Sequence, residues 1–475
     1  MLAAAFDVGE RLKRGFEPHP AGFPPGPRGD VAVELLRNPL AFLEDAAARH
    51  GGAVALVLGG ERVVLVSDPG LAQAVLIDQA ADFVKEGTAF FPGTALAGQG
   101  LLVSDGDTWR RQRQLANPAF RRSAVASYAA AMAGETRSLL EGPWAGGGAR
   151  PVYADFNTLT LDITTAALFG TGLPRDQATE VTGAIRTAFE FFSERAASGF
   201  VVPEWLPTPG NAAYAAAVTR LDAAVYGVID RRAAELAAAP AQAPQSLLDA
   251  LLGARDEGGG RMARRALRNE LMTLLVAGQE TAAIALAWAC ALLAHHPAAQ
   301  ARAAAEVEAQ LGGERPSAAN AGSLRYLEAV VLEALRLRPP AYLVGRCAAR
   351  DVNLGPYSLP AGTTVLVSPY LLHRDAARWQ APAAFRPERW AGVLAQRGGA
   401  AAALHGLGPN GAYVPFGAGP RNCIGTGFAM LEAVVVLASM LQRFRLSPLP
   451  GAAFPAAEPR ITLRPSAVEL IVDPR

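Results

Sequence analysis

The stretch Phe416-Gly417-Ala418-Gly419-Pro420-Arg421-Asn422-Cys423-Ile424-Gly425 decides the reading of this chain. It is a glycine-rich loop that presents one thiol just before an apolar run, 427–444, that reads as a helix. A structural zinc site or an iron–sulfur cluster draws on several cysteines, so one thiol in such a frame points to a single axial ligand of a haem iron. A thiolate ligand pushes electron density toward iron and favours O–O cleavage, which predicts oxygen activation. Gly417, Gly419 and Gly425 are expected to allow positive φ and close approach of the backbone to a flat macrocycle. N–H groups after Cys423 can then bond its sulfur. The commoner fate of a lone cysteine at a helix start is to be buried and inert; the ten-residue frame argues against it here.

Working outward, the 475 residues are 51% hydrophobic and 18% charged, enough to bury a large core. With 44 basic and 43 acidic side chains the formal net charge is +1, so no global field recruits nucleic acid. Mean hydropathy is +0.17. Cys290, Cys347 and Cys423 are too few and too scattered for a disulfide framework, which predicts a reducing compartment. The N-terminus meets Asp7 and Glu10 too soon for a signal peptide. Only 271–294 approaches membrane length, and it carries Gln279 and Glu280 near its middle, so a buried helix of a soluble protein is expected. The location expected is cytoplasmic or peripheral to a membrane, without a transmembrane anchor.

Phe23-Pro24-Pro25-Gly26-Pro27-Arg28-Gly29 reads as a stiff extended lead-in. Residues 53–67 read as two strands around Gly59-Gly60. From Thr108 to about Gly312 the pattern is mostly helical, with breaks at 146–148, between Val202-Pro203 and Pro209-Gly210, and at 256–260; 234–244 reads as a loose connection. The span 261–294 contains no proline and only Gly278, predicting one helix about 45–50 Å long, ended by His295-His296-Pro297. Beyond Pro339-Pro340 the pattern turns to short strands; 395–410 reads as a loop and 460–472 as strands. The expected architecture is mainly α with a small β portion: a lead segment, 1–22, then one domain, 23–475.

Three further motifs carry chemistry. Glu333 and Arg336 lie three apart, on one helix face where they can pair. Ala277-Gly278-Gln279-Glu280-Thr281 puts a threonine and an acid inside an apolar helix, which is costly unless they have partners or work. The hydroxyl can divert a backbone carbonyl, and Gly278 permits a local distortion that opens a groove. Trp109 and Arg113 lie four apart on one face and supply an indole N–H and a guanidinium, donors suited to a carboxylate. Each also has a plainer reading, as a surface ion pair, a threonine bonded to its own helix, or solvated arginines.

Taken together the chain resembles the cytochrome P450 superfamily. The family's cysteine-loop pattern is matched at Phe416, Gly417, Gly419, Arg421, Cys423 and Gly425, and the likeness runs from about Phe23 to the C-terminus. The resemblance implies heme b held between the long oxygen-binding helix and the cysteine-loop helix, with Cys423 as axial ligand and Ala277 and Gly278 beside it. It also implies that Thr281 hydrogen-bonds iron-bound dioxygen while Glu280 relays protons, and that Trp109, Arg113, Arg346 and Arg421 hold the haem propionates. Glu333 and Arg336 would join Arg389, from Pro387-Glu388-Arg389-Trp390, in a buried triad behind the haem. His373-Arg374-Asp375 with Trp379 matches a later, structural part of the pattern. One departure is Ala282, where many relatives carry a second hydroxyl.

Substrate contacts are expected from Phe90, Phe91, Leu96, Phe192, Val276 and Leu343, each of which is equally ordinary as core. The implied activity is a monooxygenase inserting one atom of O2 into a lipophilic substrate. A separate ferredoxin or flavin reductase would supply electrons to a monomeric enzyme. The rivals are a peroxide-using or isomerase-type haem-thiolate enzyme and a non-catalytic haem or lipid carrier.

Overall fold

The computed structural model describes residues 18–86, 96–170, 183–185, 187–188, 191, 206–238, 244, 246–396 and 399–475. The longer helices are α1 (Pro39–His50), α2 (Gly106–Ala116), α3 (Arg122–Glu141), α4 (Val152–Phe169), α5 (Pro209–Ala238), α6 (Arg264–His295), α7 (Pro297–Leu311), α8 (Arg325–Leu337) and α9 (Thr426–Arg443). The strands that organise the β portion are β1 (Ala53–Leu58), β2 (Glu61–Val66), β3 (Phe83–Val84), β4 (Gly148–Pro151), β5 (Val344–Ala348), β6 (Val352–Leu354), β7 (Tyr357–Leu359), β8 (Thr364–Val367), β9 (Phe444–Pro448), β10 (Ala457–Pro459), β11 (Leu463–Pro465) and β12 (Glu469–Pro474).

The main sheet has the order β1-β2-β8-β5-β3, with β2 and β8 parallel and the other pairs antiparallel. Gly59 and Gly60 both have positive φ, the two-residue turn that matches the twist of a hairpin. Its apolar alternation feeds both faces: Val64 and Val66 pack into one cluster, Val63 and Leu65 into another.

The helical core is built around α6, which buries Leu271, Met272, Leu275, Ile284, Ala287 and Trp288 along its length. At 32 residues it extends about 48 Å. The chain leaves it at His296 and starts α7 on Pro297, where the missing N–H costs nothing. His295 and His296 turn their Nδ1 atoms to the carbonyls of Ala291 and Leu292, 2.9 and 2.7 Å away.

Several boundaries differ from the sequence reading. The alanine-rich stretch from 234 continues α5 to Ala238, since alanine favours helix wherever nothing interrupts it. Residues 206–208 lie outside helix, as the expected break implies, and Pro209 opens α5, proline being tolerated in a first turn. Gly147 and Gly148 do break the helices, at φ 64° and 87°, but Gly148 also begins β4, which pairs with β12. Ala400–Ala403 forms a single helical turn inside the stretch read as loop.

Among the described residues three helices are apolar and long enough to cross a membrane by length and composition alone: α5, α6 and α9. The sequence reading singled out only part of α6.

Candidate haem-thiolate site

The cysteine loop is folded by its own backbone. Cys423 N–H donates to Phe416 O at 2.8 Å and Gly417 N–H to Val414 O at 3.0 Å. Gly417 and Gly419 take φ of 70° and 68°, closed to most side chains. A Cβ on Gly419 would lie 1.9 Å from the carbonyl oxygen of Leu76, so the loop packs against the π-helical turn Ala74–Asp78. Gly425 corrects the expectation, because its φ is −82° and ordinary. What it contributes is a backbone N–H to the Cys423 sulfur.

Cys423 is exposed by surface area, yet enough protein surrounds it for burial to push its thiol upward. Both hold when a side chain faces an internal void. The Gly425 N–H, the Arg113 guanidinium, the Thr426 hydroxyl and the Lys85 ammonium all oppose burial and favour the thiolate.

Cations gather around this sulfur. Lys85 donates to Leu102 O at 2.7 Å, and burial together with Arg346 and Arg421 brings its ammonium down to about 7. Arg346 is 5% exposed, and its hydrogen bond among the described residues goes to the carbonyl of Gly345, 2.8 Å away. Burial and the neighbouring Arg421 push its guanidinium down to about 10. Arg421 donates to Ser104 O at 2.7 Å, pairs with Asp105 and stacks 4.0 Å over the Trp109 ring. Arg113 donates to Asn422 O and Oδ1 at 2.8 and 2.9 Å.

Among the described residues Asp105 is a carboxylate that acts on Lys85, Arg346 and Arg421, and positive charge held away from water is costly unless anions balance it. A dianionic, flat cofactor with a soft metal-ligand position fits that donor set. The sequence reading gave Trp109 and Arg113 to the propionates. In the structure Arg113 braces the cysteine loop through Asn422, and Trp109 lies beneath Arg421. Lys85 and Asp105 escaped the sequence reading, since neither stands in a motif.

On α6, Ala277 is exposed and Val276 and Thr281 are half-buried, although the helix is otherwise core; this face therefore also borders open space. Thr281 Oγ1 donates to Ala277 O at 2.7 Å, the carbonyl diversion expected of a helical threonine. Gly278 corrects another expectation. The helix runs unbroken through it, and a Cβ there would sit 3.0 Å from Thr164 Oγ1 and 3.1 Å from Cγ2. The glycine lets α4 approach closely. On the same contact Thr160 Oγ1 lies 2.9 Å from Gln279 O.

Glu280 meets the hairpin near the C-terminus. Its Oε2 accepts from Thr462 Oγ1 at 3.2 Å. Burial raises its proton affinity, while the Thr462 hydroxyl and the Arg464 charge lower it.

Behind the loop, Glu333 and Arg336 form a fully buried bidentate pair, Nε and Nη2 each 2.9 Å from a carboxylate oxygen. Arg389 Nε reaches Glu333 Oε1 at 2.9 Å, and Trp390 Nε1 reaches Oε2 at 3.0 Å. Arg336 also donates to the carbonyls of His373, Pro382 and Ala384. Buried His373, kept neutral by burial and by Arg374 and Arg336, accepts the Val414 N–H at 2.9 Å. The three residues read as a triad thus converge, and His373 links their cluster to Val414 in the segment that leads into the cysteine loop.

Of the residues expected to touch substrate, Phe90, Phe91 and Phe192 lie outside the described residues. Leu96 is buried in the helical core, not open to a pocket: its N–H donates to Tyr214 Oη at 3.1 Å. Leu343 and Val276 are half-buried.

The cytochrome P450 family model matches residues 20–472. Cyclooctatin synthase of Streptomyces melanosporofaciens is 35% identical over 450 residues, 94% of this chain and of that protein. Cyclooctat-9-en-7-ol 5-monooxygenase of the same organism is 32% identical over 419 residues, 88% of this chain and 87% of that protein. Pentalenene oxygenase of Streptomyces avermitilis is 31% identical over 460 residues, 96% of each. The crystal structure of the cytochrome P450DA heme domain superimposes with a TM-score of 0.82 at 26% identity, covering 95% of this chain and 98% of that one. Fold and family together imply a cysteine-ligated haem and monooxygenase chemistry with separate redox partners in general. This chain belongs to the cytochrome P450 family.

Proposed function

We propose that residues 23–475 act as one haem unit that hydroxylates or epoxidises a lipophilic, cyclic terpenoid-like substrate, RH + O2 + 2 e− + 2 H+ → ROH + H2O in the hydroxylation case. Cys423 would be the axial ligand to heme b. Trp109, Arg113, Arg346 and Arg421, joined by Lys85, would meet the propionates, Arg113 also bracing through Asn422 the loop that carries the thiolate. When bound, the haem supplies dioxygen binding and O–O cleavage, which a thiolate ligand favours. Thr281 would hydrogen-bond the oxygen substrate and Glu280 would pass it protons. A ferredoxin or flavin reductase on a separate chain would supply the electrons to a monomer, cytoplasmic or peripheral to a membrane. What supports the substrate class is the names of two relatives, a cyclooctat-9-en-7-ol 5-monooxygenase and a pentalenene oxygenase.

The observation that carries this reading is the accessible thiol of Cys423 in the glycine-turned loop, with Arg113 and Lys85 favouring its thiolate and Arg346 and Arg421 acting on Lys85. The haem-loaded protein, reduced under carbon monoxide, is expected to show the strongly red-shifted Soret band of thiolate ligation and to lose it in Cys423→Ser. Retention of that band in the serine variant overturns the ligation. Titrating pentalenene and cyclooctat-9-en-7-ol against the ferric spectrum, then analysing products with a plant-type ferredoxin and its reductase, tests the substrate class. The absence of both a spectral shift and an oxygenated product with either compound would overturn that class.

A further inference from the structure

The acid on α6 is held by a part of the chain that no motif points to. Thr462 sits in the turn between β10 and β11, whose strands pair Ala457 with Pro465 and Glu458 with Arg464. This hairpin is docked firmly beside α6. Trp288 Nε1 donates to Leu463 O at 3.0 Å, Leu463 N–H to Pro340 O at 2.9 Å, and Tyr342 Oη to Arg460 O at 2.8 Å. The tip is closed on itself by Arg460 N–H to Thr462 O at 2.9 Å. Thr462 is therefore fixed on both sides, and its buried hydroxyl donates to Glu280 Oε2 at 3.2 Å.

Charged neighbours surround the same carboxyl. Arg464, about a third exposed and paired with Glu458 at 3.2 Å, acts on it from the hairpin. Tyr153 faces it from α4, its phenol pushed up to about 12 chiefly by burial and then by Glu280 itself, so it stays protonated. Glu280 thus lies between the Arg464–Glu458 pair, each about a third exposed, on one side and the helix bearing Thr281 on the other.

We propose that the tip of the β10–β11 hairpin is a positioning element for Glu280, Thr462 orienting the carboxyl and Arg464 standing on the same hairpin, so that protons reach α6 from the hairpin side. This rests on the relay reading of Glu280 and adds what holds the acid. Each turnover takes two protons from solvent into the product water. A relay acid must both accept and release a proton near the working pH, which is met when burial and charge-assisted contacts oppose each other. On Glu280 they do: burial acts one way, Thr462 and Arg464 the other.

The test uses the ferric, haem-loaded protein. The infrared C=O stretch of protonated Glu280, assigned by its loss in Glu280→Gln, is titrated against pH. Peroxide released per NADPH is followed over the same range with a plant-type ferredoxin and its reductase. Thr462→Val and Arg464→Gln are each expected to move the band midpoint up by about one pH unit, the size set by loss of one charge-assisted contact. The peroxide profile should move with it. Thr462→Ser and Arg464→Lys should restore both, which a general loss of folding would not allow. Wild-type midpoints in both Thr462→Val and Arg464→Gln, with Glu280→Gln still leaking peroxide, overturn the hairpin's role alone. If Glu280→Gln leaves peroxide release unchanged, the relay reading falls and the proton route with it.

Discussion

Replacing Glu333 by glutamine is the sharpest probe of how the cysteine loop is held. The carboxylate is fully buried and takes five hydrogen bonds: Arg336 Nε and Nη2 at 2.9 Å, Arg389 Nε at 2.9 Å, and Arg386 N and Trp390 Nε1 at 3.0 Å. Its two oxygens offer about four lone-pair sites, so it is saturated. Glutamine keeps the shape but removes the charge and turns one acceptor into an NH2 donor facing donors. At roughly 1.5–3 kcal/mol per hydrogen bond to a charged group the simple sum would be far too large, because Arg336 keeps its three backbone carbonyls. The expected net loss is ~3–5 kcal/mol, the range for breaking one side of a buried pair. Urea unfolding of the haem-loaded protein, followed by tryptophan fluorescence and by the Soret band, measures it. Trp390 and Trp379 lie within this cluster and report on it directly, their rings 5.7 Å apart. The loop reading further requires that the Soret band be lost at lower urea in the variant. An unchanged midpoint in both signals would refute the idea that this network holds the loop.

Three other outcomes are expected. Gly278→Ala should cost ~1–3 kcal/mol by overpacking against Thr164, and Thr164→Ala should relieve most of the loss; equal stability of single and double variants in denaturant would count against the close contact. Glu432 is buried with one oxygen unpartnered, and burial raises its carboxyl to about 8 from 4.5. The folded protein therefore keeps a proton that the unfolded chain releases, so stability falls as pH rises between about 4.5 and 8, by roughly 1.4 kcal/mol per unit from this group. Glu432→Gln should flatten that slope and raise the urea midpoint at pH 8, which a pH series of unfolding curves would check. Thr281→Ala, removing the hydroxyl on Ala277 O, should raise peroxide release per NADPH several-fold while leaving the carbon monoxide band in position; tight coupling in that variant would exclude the hydroxyl from oxygen handling.

What could be read from the sequence was whatever short-range rules encode. The cysteine frame, the glycine turn between β1 and β2, the long proline-free helix and the Glu333–Arg336 spacing all follow from dihedral preference or helical period over a few residues. Where those rules compete, local pattern misleads: the alanines from 234 suggest a loose connection and extend a helix, and Gly278 suggests a distortion and serves close packing. What only the tertiary structure decided are pairings across long separations. Arg113 meets Asn422 309 residues away, and Thr462 meets Glu280 182 residues away. Lys85, in no motif at all, feels Arg346, Arg421 and the Cys423 sulfur together. No local periodicity carries such partners, because they are set by which helix faces and strand edges pack together, and that choice is made by the whole core at once.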